Sequence, residues 1–156
     1  MMRNFEQVKD VLDHGKALHD QIRDYYKNLK KQTDESEIRL KMALDYLSWH
    51  EHEQKEMLER FEENARSAVL NTWLQFAPSD HVEELLVKAT PRPGMTVDEL
   101  VQVACAFDDA LVTLYKEAAA EMDDPKARDV FNNLAEASEK EKQRIVRDTQ
   151  QMLHEI

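Results

Sequence analysis

The chain is expected to fold as an all-α protein. Four long helices form two antiparallel hairpins, joined by a long crossover that carries a short helix. Three observations point there. Only two glycines and four prolines occur in 156 residues, so long stretches contain no local breaker. Ala, Leu, Glu, Lys and Arg, which lose little on entering a helix, are abundant. Apolar residues recur at spacings of three and four rather than two, and the turn-forming segments follow a short, long, short order.

The elements follow in order. Asn4 with Gln7 three residues later forms a capping box for a first helix, whose apolar stripe reads Phe5, Val8, Leu12, Ile22, Tyr26 and Leu29. Gly15, Leu18 and His19 fill the gap in that stripe, which places His19 at its edge. The polar stretch at Thr33-Asp34 ends the helix, and Asp34 with Glu37, or Thr33 with Ser36, caps the next one. The second stripe reads Leu40, Leu44, Leu47, Glu51, Gln54, Leu58, Phe61 and Ala65. No Gly or Pro interrupts Asp34 to Ala77, so this helix is expected to run for roughly 40 residues and to overhang, bend or break near Asn71.

Pro78 to Gly94 is the one long connection, with Ser79-Asp80 capping a short helix and Pro91-Arg92-Pro93-Gly94 stopping it. Thr96 and Glu99 form a capping box for the third long helix, whose stripe includes Leu100, Ala104, Phe107 or Asp108, Leu111, Tyr115 and Ala118. Asp124-Pro125, an N-cap residue followed by proline at the first helical position, starts the fourth. Its stripe reads Phe131, Ala135, Ser138 or Glu139, Lys142, Val146, Thr149 and Leu153.

Composition excludes several function classes. A formal charge of −11 argues against a nucleic-acid or anionic-membrane surface, because phosphate binding needs clustered Lys and Arg. No apolar run reaches the roughly 20 residues of a membrane span, and charges interrupt the only stretch that could act as a signal peptide. Cys105 is the sole cysteine, which excludes an intrachain disulfide and fits a reducing cytoplasm. One domain over 1–156 is the expectation for this length. No phosphate-cradling glycine loop or nucleophile elbow is present.

The residues that carry chemistry sit on the core stripes. Glu51 and Gln54 are three apart on the second long helix, and Glu139 and Lys142 are three apart on the fourth. The halves also repeat loosely: Tyr26 precedes Glu51 much as Tyr115 precedes Glu139, and His19 and Asp108 each lie seven residues before the corresponding tyrosine. His50 with Glu53 and His52 with Glu56 form a further cluster, expected at the surface because no second histidine group accompanies it. Cys105, flanked by apolar residues, reads as a packing residue. Met42, Tyr46 and Trp49 form a second stripe, and Trp73 and Phe76 lie in the expected overhang of the same helix. A homodimer through Met42, Tyr46, Trp49 and Trp73 is the expectation, the alternative being that the crossover covers them.

This layout resembles the ferritin-like superfamily, especially its rubrerythrin-type members, from about Phe5 to Leu153. The segments that carry the resemblance are 47–58 around Trp49-His50-Glu51-His52, 107–115 around Asp108, and 133–142 around Glu139. The resemblance implies a carboxylate from the first helix of each hairpin and Glu-x-x-His from the second, together holding a di-iron or di-manganese centre. Its members reduce peroxide or oxygen, or store iron. Glu51 and Glu139 match the second-helix glutamates, and Asp108 is a shortened stand-in for the third-helix glutamate. His19 occupies the first-helix carboxylate position, or Leu18 if the register shifts by one. Gln54 and Lys142 occupy both histidine positions, and a protonated lysine has no lone pair for a metal.

Two functions follow. The first is a non-catalytic bundle with a degenerate site and no bound cofactor, serving an interaction or stress-related role. In it, a Lys142-centred polar network satisfies Glu51, Asp108 and Glu139. The alternative is an iron or manganese protein acting in iron oxidation, iron storage or peroxide reduction, with Glu51, Asp108, Glu139 and His19 as ligands.

Overall fold

The structure, a computed structural model, describes residues 5–76, 81–88 and 94–154. Its elements are β1 (Phe5–Gln7), α1 (Val8–Gln32), α2 (Ile38–Asn64), α3 (Ser67–Leu70), β2 (Trp73–Phe76), α4 (His81–Lys88), α5 (Val97–Ala120) and α6 (Pro125–His154). The four long helices pair as α1 with α2 and α5 with α6, and these are the two most extensive interhelix contacts. Ion pairs mark the antiparallel register of the first hairpin: Lys16–Glu62 at 3.0 Å, Lys55–Asp20 at 2.8 Å and Lys30–Asp45 at 2.6 Å.

The core lies where the 3.6-residue stripes meet. Val11, Leu12, Leu18 and Ile22 of α1 pack with Leu44, Leu47 and Leu58 of α2, Leu100, Phe107 and Leu111 of α5, and Phe131 and Ile145 of α6. Tyr25, Tyr26 and Phe107 meet edge to face with centroids 5.6–6.2 Å apart, a geometry favoured by the ring quadrupoles. Two caps form as their residues dictate. Glu99 N–H donates to Thr96 Oγ1 at 3.1 Å, and Ala127 N–H donates to Asp124 Oδ2 at 2.9 Å.

Three expectations about the elements are corrected. The first helix begins at Val8 because Phe5–Gln7 pairs with β2 instead, and Asp10 accepts from Gln7 N–H at 3.0 Å. Asn4, its expected cap, lies outside the described residues, as do Ser79-Asp80 and Pro91-Arg92-Pro93. The second long helix ends at Asn64, well before Asn71, with Ala65 and Arg66 in extended backbone. Asn64 turns its side-chain amide back onto the Arg60 carbonyl at 3.0 Å, the kind of local bond that competes with helix continuation. The chain then makes α3 and returns as β2, where Val8 N–H donates to the Thr72 carbonyl at 3.1 Å. Trp73 and Phe76 therefore belong to a two-stranded antiparallel ribbon and not to α2. No helix among the described residues is long and apolar enough to cross a membrane.

Candidate functional site

At mid-depth of the bundle the apolar stripes give way to polar residues. His19 from α1, His50, Glu51 and Gln54 from α2, Asp108 from α5 and Ser138 from α6 are all buried. Helical spacing places them there: His19 follows Leu12 by seven, Glu51 follows Leu47 by four, and Asp108 follows Ala104 by four. Tyr26 and Tyr115 are also buried in the core, and the negative charges of Glu51 and Asp108 reach both rings.

The shortest contact in the cluster joins His19 Nδ1 to Glu51 Oε2 at 2.7 Å, with both side chains almost fully enclosed. The histidine N–H donates to the carboxylate, a charge-assisted bond that satisfies two groups which would be costly to bury alone. A second histidine–carboxylate pair crosses from α2 to α6, where His50 Nδ1 lies 3.3 Å from Glu141 Oε2. The His50 ring also stacks against Tyr46, with centroids 6.2 Å apart. Asp108 Oδ2, His50 Nε2 and Tyr115 Oη are buried and have no hydrogen-bond partner.

The electrostatics follow from this burial. Desolvation pushes the Asp108 carboxyl well above its ordinary range, and the neighbouring Glu51 and Glu141 charges add to the effect. Desolvation also lowers the His50 pKa, against the opposing pull of Glu51 and Glu141. Tyr26 and Tyr115 are held protonated by burial first, then by Glu51 and Asp108.

The structure joins His19 to Glu51, sets Asp108 within reach of the Glu51 charge and buries Gln54, while Lys142 pairs with Glu139 and with Asp109. Lys142 bonds Asp109 Oδ1 at 2.7 Å and lies 3.3 Å from Glu139 Oε2, on the rim between α5 and α6. The expected Lys142-centred network with Glu51 and Asp108 is corrected accordingly. Ile145, buried to 1% exposure, sets the rotation of α6, and Ser138 takes the inward place in preference to Glu139. The flexible lysine stem then carries its ammonium sideways to a hydrated rim. His50 is the second correction, since it is buried and not part of a surface cluster, whereas His52 pairs with Glu56 at 2.9 Å in a half-exposed position.

Glu141 is the site residue that the sequence reading missed. The signal was present, because Ser138, Glu141 and Ile145 follow one another at three and four residues. Cys105, partly buried on α5, has its thiol pKa raised mainly by burial, which fits a packing role.

The residues do not fit a di-metal centre as they stand. Gln54 and the Ser138–Glu141 pair offer no histidine at the Glu-x-x-His positions, and His19 is bonded to the carboxylate it would have to share. Among the described residues, no group of three or more His, Cys, Asp or Glu side chains is placed to hold a metal ion.

Two hairpins joined by a long crossover, enclosing a polar centre at mid-depth, define a ferritin-like fold. A solved structure from Thermotoga maritima, described as a candidate ferritin-like diiron-carboxylate protein, superposes with a TM-score of 0.56. It is 14% identical, and the match covers 95% of this chain and 97% of that one. No protein-family model and no curated protein sequence matches the chain.

Proposed function

We propose that this chain is a ferritin-like bundle in which a hydrogen-bonded histidine–carboxylate cluster replaces a di-metal centre, and that it acts by binding and not by redox catalysis. The His19–Glu51 bond carries this reading. A carboxylate and an imidazole joined at 2.7 Å satisfy each other's hydrogen-bonding needs inside the core, so this pair holds together without a cation. The side chains at the expected histidine positions add no nitrogen donor that could compete. An interaction role follows from a fold kept intact around a centre without the usual ligands.

A second reading has one observation in its favour. Asp108 Oδ2 and His50 Nε2 are buried without partners, beside the charges of Glu51 and Glu141. Iron or manganese would suit those atoms if the two histidine–carboxylate pairs opened. The chain would then join the iron-oxidising, iron-storing or peroxide-reducing proteins, with Glu51, Asp108 and His19 as ligands and Glu141 in place of Glu139.

Elemental analysis separates the two. Protein prepared without chelator, and again after incubation with ferrous or manganous salt and desalting, is expected to hold far less than one ion per chain. Near-stoichiometric iron or manganese in either sample would overturn the first reading and support the second.

A further inference from the structure

We infer that a lysine-lined cleft at the loop end of the first hairpin binds a small phosphorylated molecule. The cleft lies between the end of α1 and the first turns of α2, and its volume of about 440 Å³ falls within the roughly 300–1,000 Å³ of small-ligand sites. Lys27, Lys30 and Lys31 of α1 and Lys41 of α2 line it, against two carboxylates, Glu35 and Asp45. On a chain with a net charge of −11, four ammonium groups around one concavity reverse the local sign, and a cleft focuses the field of the charges on its walls. No residue of the buried His19–Glu51 centre borders it, so the inference goes beyond the reading above and does not depend on the state of that centre.

Two of the four ammonium groups are available to a ligand outright. Lys30 holds Asp45 and Lys41 holds Glu35, each at 2.6 Å. Lys27 and Lys31, four residues apart on one face of α1, have no ion pair or hydrogen bond among the described residues. The two existing pairs are also easily exchanged. Asp45 and Glu35 are 61% and 94% exposed, so solvent screens them and an incoming dianion can take their place at small cost. The Ser48 hydroxyl, half-buried on the α2 wall and without a partner among the described residues, adds a neutral donor. Dipole complementarity accounts for only part of this set. Lys30 and Lys31 sit in the last turn of α1, where cations offset the helix dipole, but Lys27 precedes that turn and Lys41 belongs to another helix.

The surroundings select a compact anion that carries an organic part. Asp34, Glu35 and Glu37 follow closely on Lys31, so a nucleic-acid backbone or an anionic membrane extending past the cleft would meet carboxylates. A single phosphate group is small enough to stay among the lysines, and several ammonium donors can share its oxygens in charge-assisted hydrogen bonds. Phosphate alone would leave much of the cleft unfilled. The methylene stems of the four lysines make the rest of the wall apolar, and such stems can cover a carbon skeleton attached to the phosphate. A phosphate ester meets both demands.

Isothermal titration calorimetry of the full chain at low ionic strength tests the proposal, with phenyl phosphate and inorganic phosphate as probes and circular dichroism confirming that each variant is folded. Phenyl phosphate is expected to bind with a dissociation constant of ~1 mM or tighter, and about threefold or more tighter than inorganic phosphate. Lys27→Glu combined with Lys31→Glu should weaken phenyl phosphate about tenfold or more. Lys116→Glu combined with Lys140→Glu makes the same change in net charge at exposed positions outside the cleft, and should leave the affinity within about twofold of the wild type. A wild type that binds no phenyl phosphate at about 10 mM, equal affinity for the two probes, or equal affinities in the two charge-matched variants would overturn the proposal. None of these readings involves a metal ion, so they are separate from the elemental analysis.

Discussion

His19 Nδ1 and Glu51 Oε2 meet at 2.7 Å in the centre of the bundle, joining the first hairpin's two helices through a bond that water barely reaches. The partners are 32 residues apart in sequence, and burial makes each dependent on the other. Removing one leaves an uncompensated polar group in the core. His19→Ala and Glu51→Ala are each expected to cost about 3–5 kcal/mol in urea denaturation, whereas a double replacement by leucine should cost much less than the sum of the singles. Additive losses would show that the pair is not coupled.

Stability should depend on pH through Asp108 and His50, with opposite signs. Asp108 has its folded pKa raised above 3.8, chiefly by burial, so the folded state binds the extra proton. Its stabilising contribution is fully present below 3.8 and drains away as pH rises toward the folded value. His50 has its folded pKa lowered from 6.5, again chiefly by burial, so the unfolded state binds the extra proton. Its contribution is present above 6.5 and is lost as pH falls toward the folded value. Urea midpoints measured across pH should therefore lose one slope in Asp108→Asn and the opposite slope in His50→Asn.

Gly15 makes room for Tyr115. A β-carbon at position 15 would lie 2.9 Å from Tyr115 Oη and 3.3 Å from Leu58 Cδ1, and the enclosed tyrosine ring cannot easily move aside. Alanine improves helix propensity by up to about 1 kcal/mol, but overpacking a closed core costs about 1–3 kcal/mol. Gly15→Ala should therefore destabilise by about 1 kcal/mol. Tyr115→Phe removes a hydroxyl that has no partner and should be close to neutral alone. Combined with Gly15→Ala it should recover most of the loss, and thermal melts of the three variants check this.

Lys142 should matter little. Its partners Asp109 and Glu139 are 56% and 40% exposed, so the ion pairs are screened by solvent. Lys142→Met is expected to change stability by less than about 1 kcal/mol. A loss of several kcal/mol in the same denaturation assay would return Lys142 to the centre of the network.

The fold was legible in the sequence because it rests on redundant local signals. The Thr96–Glu99 box and the Asp124-Pro125 start are each read from a few neighbouring residues, and both appear as expected. Apolar periodicity tolerates an error of one residue without changing which helices form. The site has no such tolerance, because one residue is 100° of helix rotation. That step separates Glu139 on the rim from Ser138 in the core, and it determines that Glu141 meets His50 while Lys142 meets Asp109. The break at Ala65 was equally hidden, since no glycine or proline marks it and the return of β2 to β1 depends on residues far away in sequence.

By itself, then, the sequence determined four long helices, the caps of the last two, their hairpin order and the presence of Glu51, Gln54 and Asp108 on inward stripes, with His19 at the edge of one. The cap expected at Asp34 or Thr33 does not form, and α2 begins after Glu37 without a side-chain cap. Only the tertiary structure decided how those groups are paired. Inward stripes are set by hydrophobic burial, a property each helix carries alone. Pairing depends on the rotation of one helix against another to within a fraction of a turn. In the centre of this bundle, that rotation is what joins histidine to carboxylate and sends the lysine to water.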